Sequence, residues 1–289
     1  MGFSGKLFRG PCAACLRIAA LALLWAASTA TALAQNAAGQ TSGTYLALGD
    51  SVSFGYIAPN GYAQLNPDNF LGYPFWLGEQ LHLATVNAAC PGQTSGGFIS
   101  GSTPDNGCLL YRAAYPLHVA YTGSQLGFAI QYLSAHKDVK LVTVMLGAND
   151  LYLLQQACSG DASCIAKGLP ATLTALASNM IRILAELKAT GYKGQMVLVN
   201  YYSLDYTDLL VTGSVAAMNL TLAAVAGSFG IPVADSFSAF LAAASAAQGQ
   251  TCRAALLNVS PGSPPQCDDH PSQSGHRLLA KTVAKAGGF

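Results

Sequence analysis

Residues 139–150 read VKLVTVMLGAND. Seven of the first eight residues are apolar or β-branched, Lys140 is the single charge, and Gly147 ends the run. A stretch this short and this uniformly apolar reads as a strand covered on both faces, the signature of a parallel sheet. The neighbouring segments agree. Upstream, Leu126, Ile130 and Leu133 mark a helix over Gln125–His136. Downstream, Leu173, Leu176, Met180, Ile183, Leu184 and Leu187 mark a long helix over Cys164–Thr190, stopped at Gly191. QMVLVNYY (195–202) reads as a strand, Ser214–Ser228 as a helix and IPVAD (231–235) as a short strand. Towards the amino end, TYLALGD (44–50) and TVNAAC (85–90) read as strands on either side of a loosely patterned helix near 73–84. Pro271 opens a closing helix through Leu278, Leu279 and Val283. Strands alternating with helices predict an α/β fold, a three-layer α/β/α sandwich with a parallel sheet. Right-handed crossovers then gather ligand-binding loops at the carboxyl ends of the strands. Nothing divides residues 44–289 into two domains, and the Gly- and Pro-bearing stretches 56–70 and 97–124 are long enough to be functional loops.

Composition narrows the function. Of 289 residues, 52% are hydrophobic and only 9% charged, with 14 Lys and Arg against 13 Asp and Glu. A near-neutral chain without a basic cluster excludes a nucleic-acid partner, and its apolar content excludes a disordered chain. A small molecule or a lipid is the partner that fits, and the chain is expected to be a monomer. Lys6, Arg9 and Arg17 precede an uncharged run from Ile18 to Ala34, with Ala32 and Ala34 forming an A-x-A cleavage signature. Residues 1–34 therefore read as a signal peptide and 35–43 (QNAAGQTSG) as a flexible leader, predicting a secreted, periplasmic or extracellular protein with no membrane span after cleavage. Cys12 and Cys15 fall in the discarded segment. The remaining six cysteines suit three disulfides. Of fifteen possible connectivities, sequence neighbours give the economical one: Cys90–Cys108, Cys158–Cys164 and Cys252–Cys267. Their spacing matches no familiar zinc pattern, so no metal is expected.

Four short blocks fall at the predicted strand ends: Gly49-Asp50-Ser51, the Gly-centred loop around Gly92, Gly147-Ala148-Asn149-Asp150, and Asp268-Asp269-His270-Pro271. A serine hydroxyl attacks well only when an imidazole takes its proton. The oxyanion that attack creates on an ester carbonyl needs fixed hydrogen-bond donors. Ser51 can attack and His270 can act as base. The N–H of Ser51, the N–H of Gly92 and the amide of Asn149 can supply the oxyanion hole, Gly92 because no side chain keeps its backbone from a substrate. Asp268 or Asp269 can orient the imidazole. Asp268 is the preferred acid, because a residue immediately before His270 would more often point away.

These blocks, in this order, resemble those of the SGNH/GDSL hydrolases, from Tyr45 to about Ala280. The resemblance implies a flavodoxin-like three-layer fold, cofactor-free and metal-free hydrolysis of carboxylic esters through an acyl-enzyme, and the four name-giving roles at Ser51, Gly92, Asn149 and His270. One departure stands out: many members carry the acid three residues before the histidine, where this chain has Cys267. The expected activity is that of a serine esterase or lipase. The alternatives are a carbohydrate acetylesterase or thioesterase of the same family, or a non-catalytic binding protein on this fold.

The other candidates have plainer readings. Ser53 and Asp50 suit turn roles, and Asp150 suits a helix cap. His82, His118 and His136 lack a motif, and His276 is a minor rival to His270. Asn219 and Asn258 each open a glycosylation sequon. Tyr56, Tyr62, Phe70 and Tyr73 on one loop, Tyr111, Tyr115 and Tyr121 on another, and Leu151, Tyr152, Leu153 and Leu154 after the third block are candidates for an apolar acyl or aryl site.

Overall fold

The computed structural model describes residues 43–57, 64–102, 104–260 and 266–289. The expected signal peptide, nearly all of the leader and Tyr62 lie outside these residues. Five parallel strands form the sheet: β1 (Thr44–Gly49), β2 (Ala84–Asn87), β3 (Val139–Met145), β4 (Gln195–Val199) and β5 (Val233–Ala234), in the order β2-β1-β3-β4-β5. This is the flavodoxin-like order. Leu46 lies between Val86 and Val142, and Thr143 opposite Val197. β1 is buried throughout and β3 everywhere but Lys140, as strands covered on both faces must be.

Ten α-helices are described. They are α1 (Ser51–Phe54), α2 (Tyr73–Leu81), α3 (Ser95–Ser100), α4 (Cys108–Ala114), α5 (Gln125–Ala135), α6 (Ala148–Ala157), α7 (Ala162–Ala189), α8 (Leu209–Ser228), α9 (Ser236–Ala243) and α10 (Gln273–Gly287). α7 buries Leu176, Met180, Ile183, Leu184 and Leu187, one stripe at helical spacing. α8 carries no charge and passes the length and hydropathy criteria for a membrane span. In the fold it is the crossover into β5, and Met218, Asn219, Leu222, Val225 and Ala226 form its buried side. It begins at Leu209, five residues before the expected start, because the Asp208 carboxylate accepts from the N–H groups of Leu210 and Val211.

The carboxyl-terminal block departs further from expectation. Residues 266–271 form a strand, β7 (Gln266–Pro271), paired antiparallel with β6 (Leu257–Ser260), apart from the main sheet. Pro271 therefore ends a strand. The closing helix starts at Gln273, behind Ser272, whose hydroxyl accepts from Gly275 N–H. Residues 97–124 are not one long loop either, since α4 and most of α3 lie within them. The three disulfides pair sequence neighbours, Cys90–Cys108, Cys158–Cys164 and Cys252–Cys267.

Because the chain passes from β1 to β2 on one side and then to β3 on the other, the sheet changes direction between β1 and β3. Their carboxyl ends flank the crevice where open α/β sheets bind ligands. Ser51 follows β1, and Asn149 follows β3.

Candidate active site

β1 ends on a glycine for a steric reason. Gly49 has φ +146°, and a Cβ there would sit 2.4 Å from Met145 O and 2.6 Å from Ser53 Oγ. Gln125, at the start of α5, brackets it: Oε1 accepts from Gly49 N–H at 2.7 Å, and Nε2 donates to Gly49 O at 3.0 Å. The chain then turns into α1. The Asp50 carboxylate accepts from Val52 N–H at 3.0 Å and leaves Ser51 as the first helical residue, half-exposed on a cavity wall. Ser53 is fully buried, 3.3 Å from the Tyr73 hydroxyl, so it belongs to the core.

Gly92 has φ +80°, and a Cβ there would meet Asn106 O at 2.4 Å. Its loop is closed by Asn106 N–H donating to Gly92 O at 3.0 Å, and Cys90 anchors it to Cys108 of α4. Asn149, in the first turn of α6, is buried. Its Oδ1 accepts from Asn106 Nδ2 at 2.8 Å, which fixes the amide, while Nδ2 donates to Gln93 O at 3.1 Å and to Asp50 Oδ2 at 3.3 Å. Asp150 does not cap its own helix. It accepts from the N–H and hydroxyl of Ser95 on α3, binding the second block to the third. Burial raises the Asp50 carboxyl to about 6, against the hydrogen bonds from Tyr201 and Val52 that favour its anion.

His270 lies on β7. Its Nδ1 is 2.8 Å from Asp268 Oδ1 and also 2.8 Å from Asp269 Oδ1. With acidic oxygens beside Nδ1, the neutral imidazole carries its ring hydrogen there and keeps the lone pair on Nε2. The expectation that Asp269 points away fails, because the Tyr152 hydroxyl donates to its Oδ2 at 2.7 Å and turns the carboxylate inward. Burial disfavours the imidazolium, yet hydrogen bonds and charge from Asp268 and Asp269 outweigh it and raise His270 to about 9. Burial also disfavours the Asp269 anion, but His270, Asp268 and Tyr152 hold it well below the usual carboxylate range. Asp268, Asp269 and His270 are the one group among the described residues with possible metal-ligand atoms close together, and those atoms are engaged with one another and with Tyr152. Cys267, at the position many relatives give to the acid, is bridged to Cys252.

Ser51, Gly92, Asn149, Asp269 and His270 line one cavity of about 760 Å³. No direct hydrogen bond joins the Ser51 hydroxyl to the imidazole among the described residues, a looseness common in unliganded sites. Tyr56 stands edge-on to His270, ring centroids 4.9 Å apart. Tyr56, Tyr111, Leu151, Tyr152 and Leu154 line the cavity as expected of an apolar site. Tyr73 is core, Phe70 packs with Phe54, Tyr115 rests on Tyr111, and Tyr121 lies against Phe128 and Arg112. The opposite wall was missed in the sequence: Leu210, Val211, Val215 and Met218 come from α8, and Ile165 from α7. An apolar helix pattern announces a covering helix and does not say which residues border a void.

The remaining candidates are structural. His276 is buried, its Nδ1 accepts from Tyr73 N–H at 3.1 Å, and burial lowers it to about 3. His118 meets Phe54 O at 3.0 Å. The Asn219 side chain is buried and reads both backbone groups of Tyr201, at 3.0 and 2.7 Å. Its sequon is therefore shielded. Asn258 donates to Pro271 O at 2.9 Å.

The family model described as the GDSL-like Lipase/Acylhydrolase family matches residues 47–278. No curated protein sequence matches the chain. Among solved structures, the fold is similar to phospholipase A1 from Streptomyces albidoflavus NA297, with 17% identity, TM-score 0.54, and coverage of 85% of this chain and 99% of that one. It is also similar to a lipase from a goat rumen metagenome, with 16% identity, TM-score 0.52, and coverage of 84% and 97%. An acetylxylan esterase from Geobacillus stearothermophilus gives 16% identity, TM-score 0.52, and coverage of 86% and 95%. At such identities the likeness is one of fold.

Proposed function

The chain belongs to the GDSL-like lipase/acylhydrolase family and is a carboxylic ester hydrolase, and on that premise we propose that Ser51 is its nucleophile, His270 its general base and Asp268 the acid that orients the imidazole. One observation carries the assignment: residues following β1, β2 and β3, together with the β7 histidine, converge on the wall of one cavity.

In this reading the Ser51 hydroxyl proton passes to His270 Nε2 as Oγ bonds to the ester carbonyl carbon. The carbonyl π pair moves onto oxygen, which the N–H groups of Ser51 and Gly92 and the Asn149 amide receive. The longer Asn149 bond, 3.3 Å to Asp50, is the one that yields to the oxyanion. Collapse breaks the carbon–oxygen bond to the alcohol, and His270 returns the proton to it. Water, deprotonated by the same imidazole, then releases the acid and restores Ser51. The substrate is an ester with an apolar acyl or aryl group, small-molecule or lipid, lodged against the aromatic and aliphatic walls. Three disulfides and the charged-then-apolar amino terminus support an exported chain, with residues 1–34 removed and 44–289 the catalytic domain.

A fluorophosphonate probe tests the nucleophile. Labelling of the wild-type protein, with loss of both labelling and ester hydrolysis in Ser51→Ala, is the expected result. Labelling or hydrolysis that survives the substitution overturns the assignment.

A further inference from the structure

Two carboxylates, not one, lie 2.8 Å from the imidazole Nδ1. Asp268 takes its hydrogen bond, and Asp269, held from another part of the fold, stands beside it as a close charge. Asp269 Oδ1 is as near His270 Nδ1 as Asp268 Oδ1 is, both at 2.8 Å. Its Oδ2 accepts from Tyr152, on the same helix as Asn149, and its main-chain oxygen accepts from the Tyr202 hydroxyl at 2.8 Å, just beyond β4. A triad needs one carboxylate to fix the tautomer and balance the imidazolium. A second one at the same distance must change the charge that the imidazole meets.

We propose that Asp269, fastened by Tyr152, is a second positioning residue on His270 and sets the pH at which the imidazole becomes free to take the Ser51 proton. The inference rests on the proposed roles of Ser51 and His270. The geometry explains why this carboxylate is in place: without Tyr152 and Tyr202, a residue adjacent to the histidine on a strand would point to the other face. The titratable groups around His270 come from several elements, and Asp208, at the N-cap of α8, lines the same cavity. Asp268 and Asp269 share β7; Asp50 follows β1; Tyr56 follows α1; Tyr152 is on α6; Tyr202 follows β4; His276 is on α10. The buried or half-buried phenols are pushed towards higher pKa and stay neutral, and His276 stays neutral at about 3. Asp50 adds a negative charge above its value of about 6.

The sign follows. With Asp269 held as the anion beside it, the imidazolium is favoured and His270 stands at about 9. Below that pH most molecules hold a protonated, unusable base, so the rate climbs with pH until the midpoint is passed. Removing that charge weakens the imidazolium and moves the midpoint towards neutrality, by about one pH unit for a charge this close.

The experiment compares kcat/KM against pH, on one short-chain ester followed by pH-stat, for wild type, Asp269→Asn, Tyr152→Phe and the pair combined. Asp269→Asn is expected to lower the midpoint by about one pH unit. Tyr152→Phe is expected to move it the same way by less, and to add nothing once Asp269 is already Asn, since its effect passes through that carboxylate. A midpoint unmoved in Asp269→Asn overturns the proposal, as does a Tyr152→Phe effect that persists in full in the combined variant. Fluorophosphonate labelling of each variant separates the two levels. Labelling at Ser51 with an unmoved midpoint removes only the role of Asp269. Wild-type protein that Ser51→Ala leaves fully active removes the proposed machinery itself.

Discussion

The Ser51 turn and the His270 hairpin meet at one cavity, but they are held in different ways. The turn is an extension of the sheet. β1 is hydrogen-bonded to β2 and β3, is buried along its length, and passes into α1 through a glycine bracketed by Gln125. The hairpin has no place in that sheet, since among the described residues β6 and β7 pair only with each other. A two-stranded ribbon is marginal in water by itself. This one is fastened by separate cross-links: the Cys252–Cys267 bridge, Asn258 donating to Pro271 O, Ser272 N–H donating to Leu256 O, and two tyrosine hydroxyls on Asp269. Ser51, the proposed nucleophile, therefore inherits its order from the global fold, whereas His270, the proposed base, keeps its order through local fastenings. The two should fail differently.

The largest expected effect is on the sheet side. Gly49→Ala places a methyl group against Met145 O in a backbone conformation that an L side chain rarely adopts. Thermal or urea unfolding should show a loss of about 3 kcal/mol or more, with activity lost in proportion to folded protein. Near-wild-type stability in Gly49→Ala would show the turn to be no more rigidly built than the hairpin. Opening the hairpin should do the reverse. In Cys252→Ser combined with Cys267→Ser, kcat should fall at least about tenfold, because a displaced base forfeits a general-base contribution of that size or greater. The loss of stability should not exceed about 3 kcal/mol, the chain-entropy value for a loop of this length. Far-UV circular dichroism and a kcat measurement on the same sample read both. Full activity without the bridge would mean that the tyrosine tethers suffice.

The contrast also explains what the sequence disclosed. β1, β3 and β4 were legible because strands buried on both faces must be apolar runs, and the glycine-ended blocks at Gly49 and Gly147 mark their stops. The long α7 stripe was legible for the same reason. The hairpin was not. QCDDHP has neither apolar alternation nor β-branched residues, and a strand pinned by a disulfide and tyrosine hydroxyls needs neither. The same gap hid the inward turn of Asp269, which depends on Tyr152 from 117 positions away. Ser51, Gly92, Asn149 and His270 could be named from their blocks. Their shared cavity could not be, because convergence is a property of the topology.

The smallest expected effect separates chemistry from selectivity on the sheet side. Val215 and Val211 of α8 line the cavity with apolar side chains, whereas the hydrogen bonds that hold His270 and Asp269 come from Asp268, Tyr152 and Tyr202. Val215→Phe should fill part of the space open to an acyl chain. For p-nitrophenyl esters of rising chain length, the kcat/KM ratio of decanoate to acetate should fall at least about tenfold, since lost room for even one methylene in an apolar pocket costs about 1–3 kcal/mol. The midpoint of the pH profile should stay at its wild-type value, because neither Val215 nor its replacement carries a charge. A wild-type profile that already favours acetate alone would remove the apolar acyl site and point to deacetylation. A shifted pH midpoint in Val215→Phe would show that α8 and the hairpin are mechanically coupled, and the division between a sheet-held nucleophile and a separately fastened base would no longer hold.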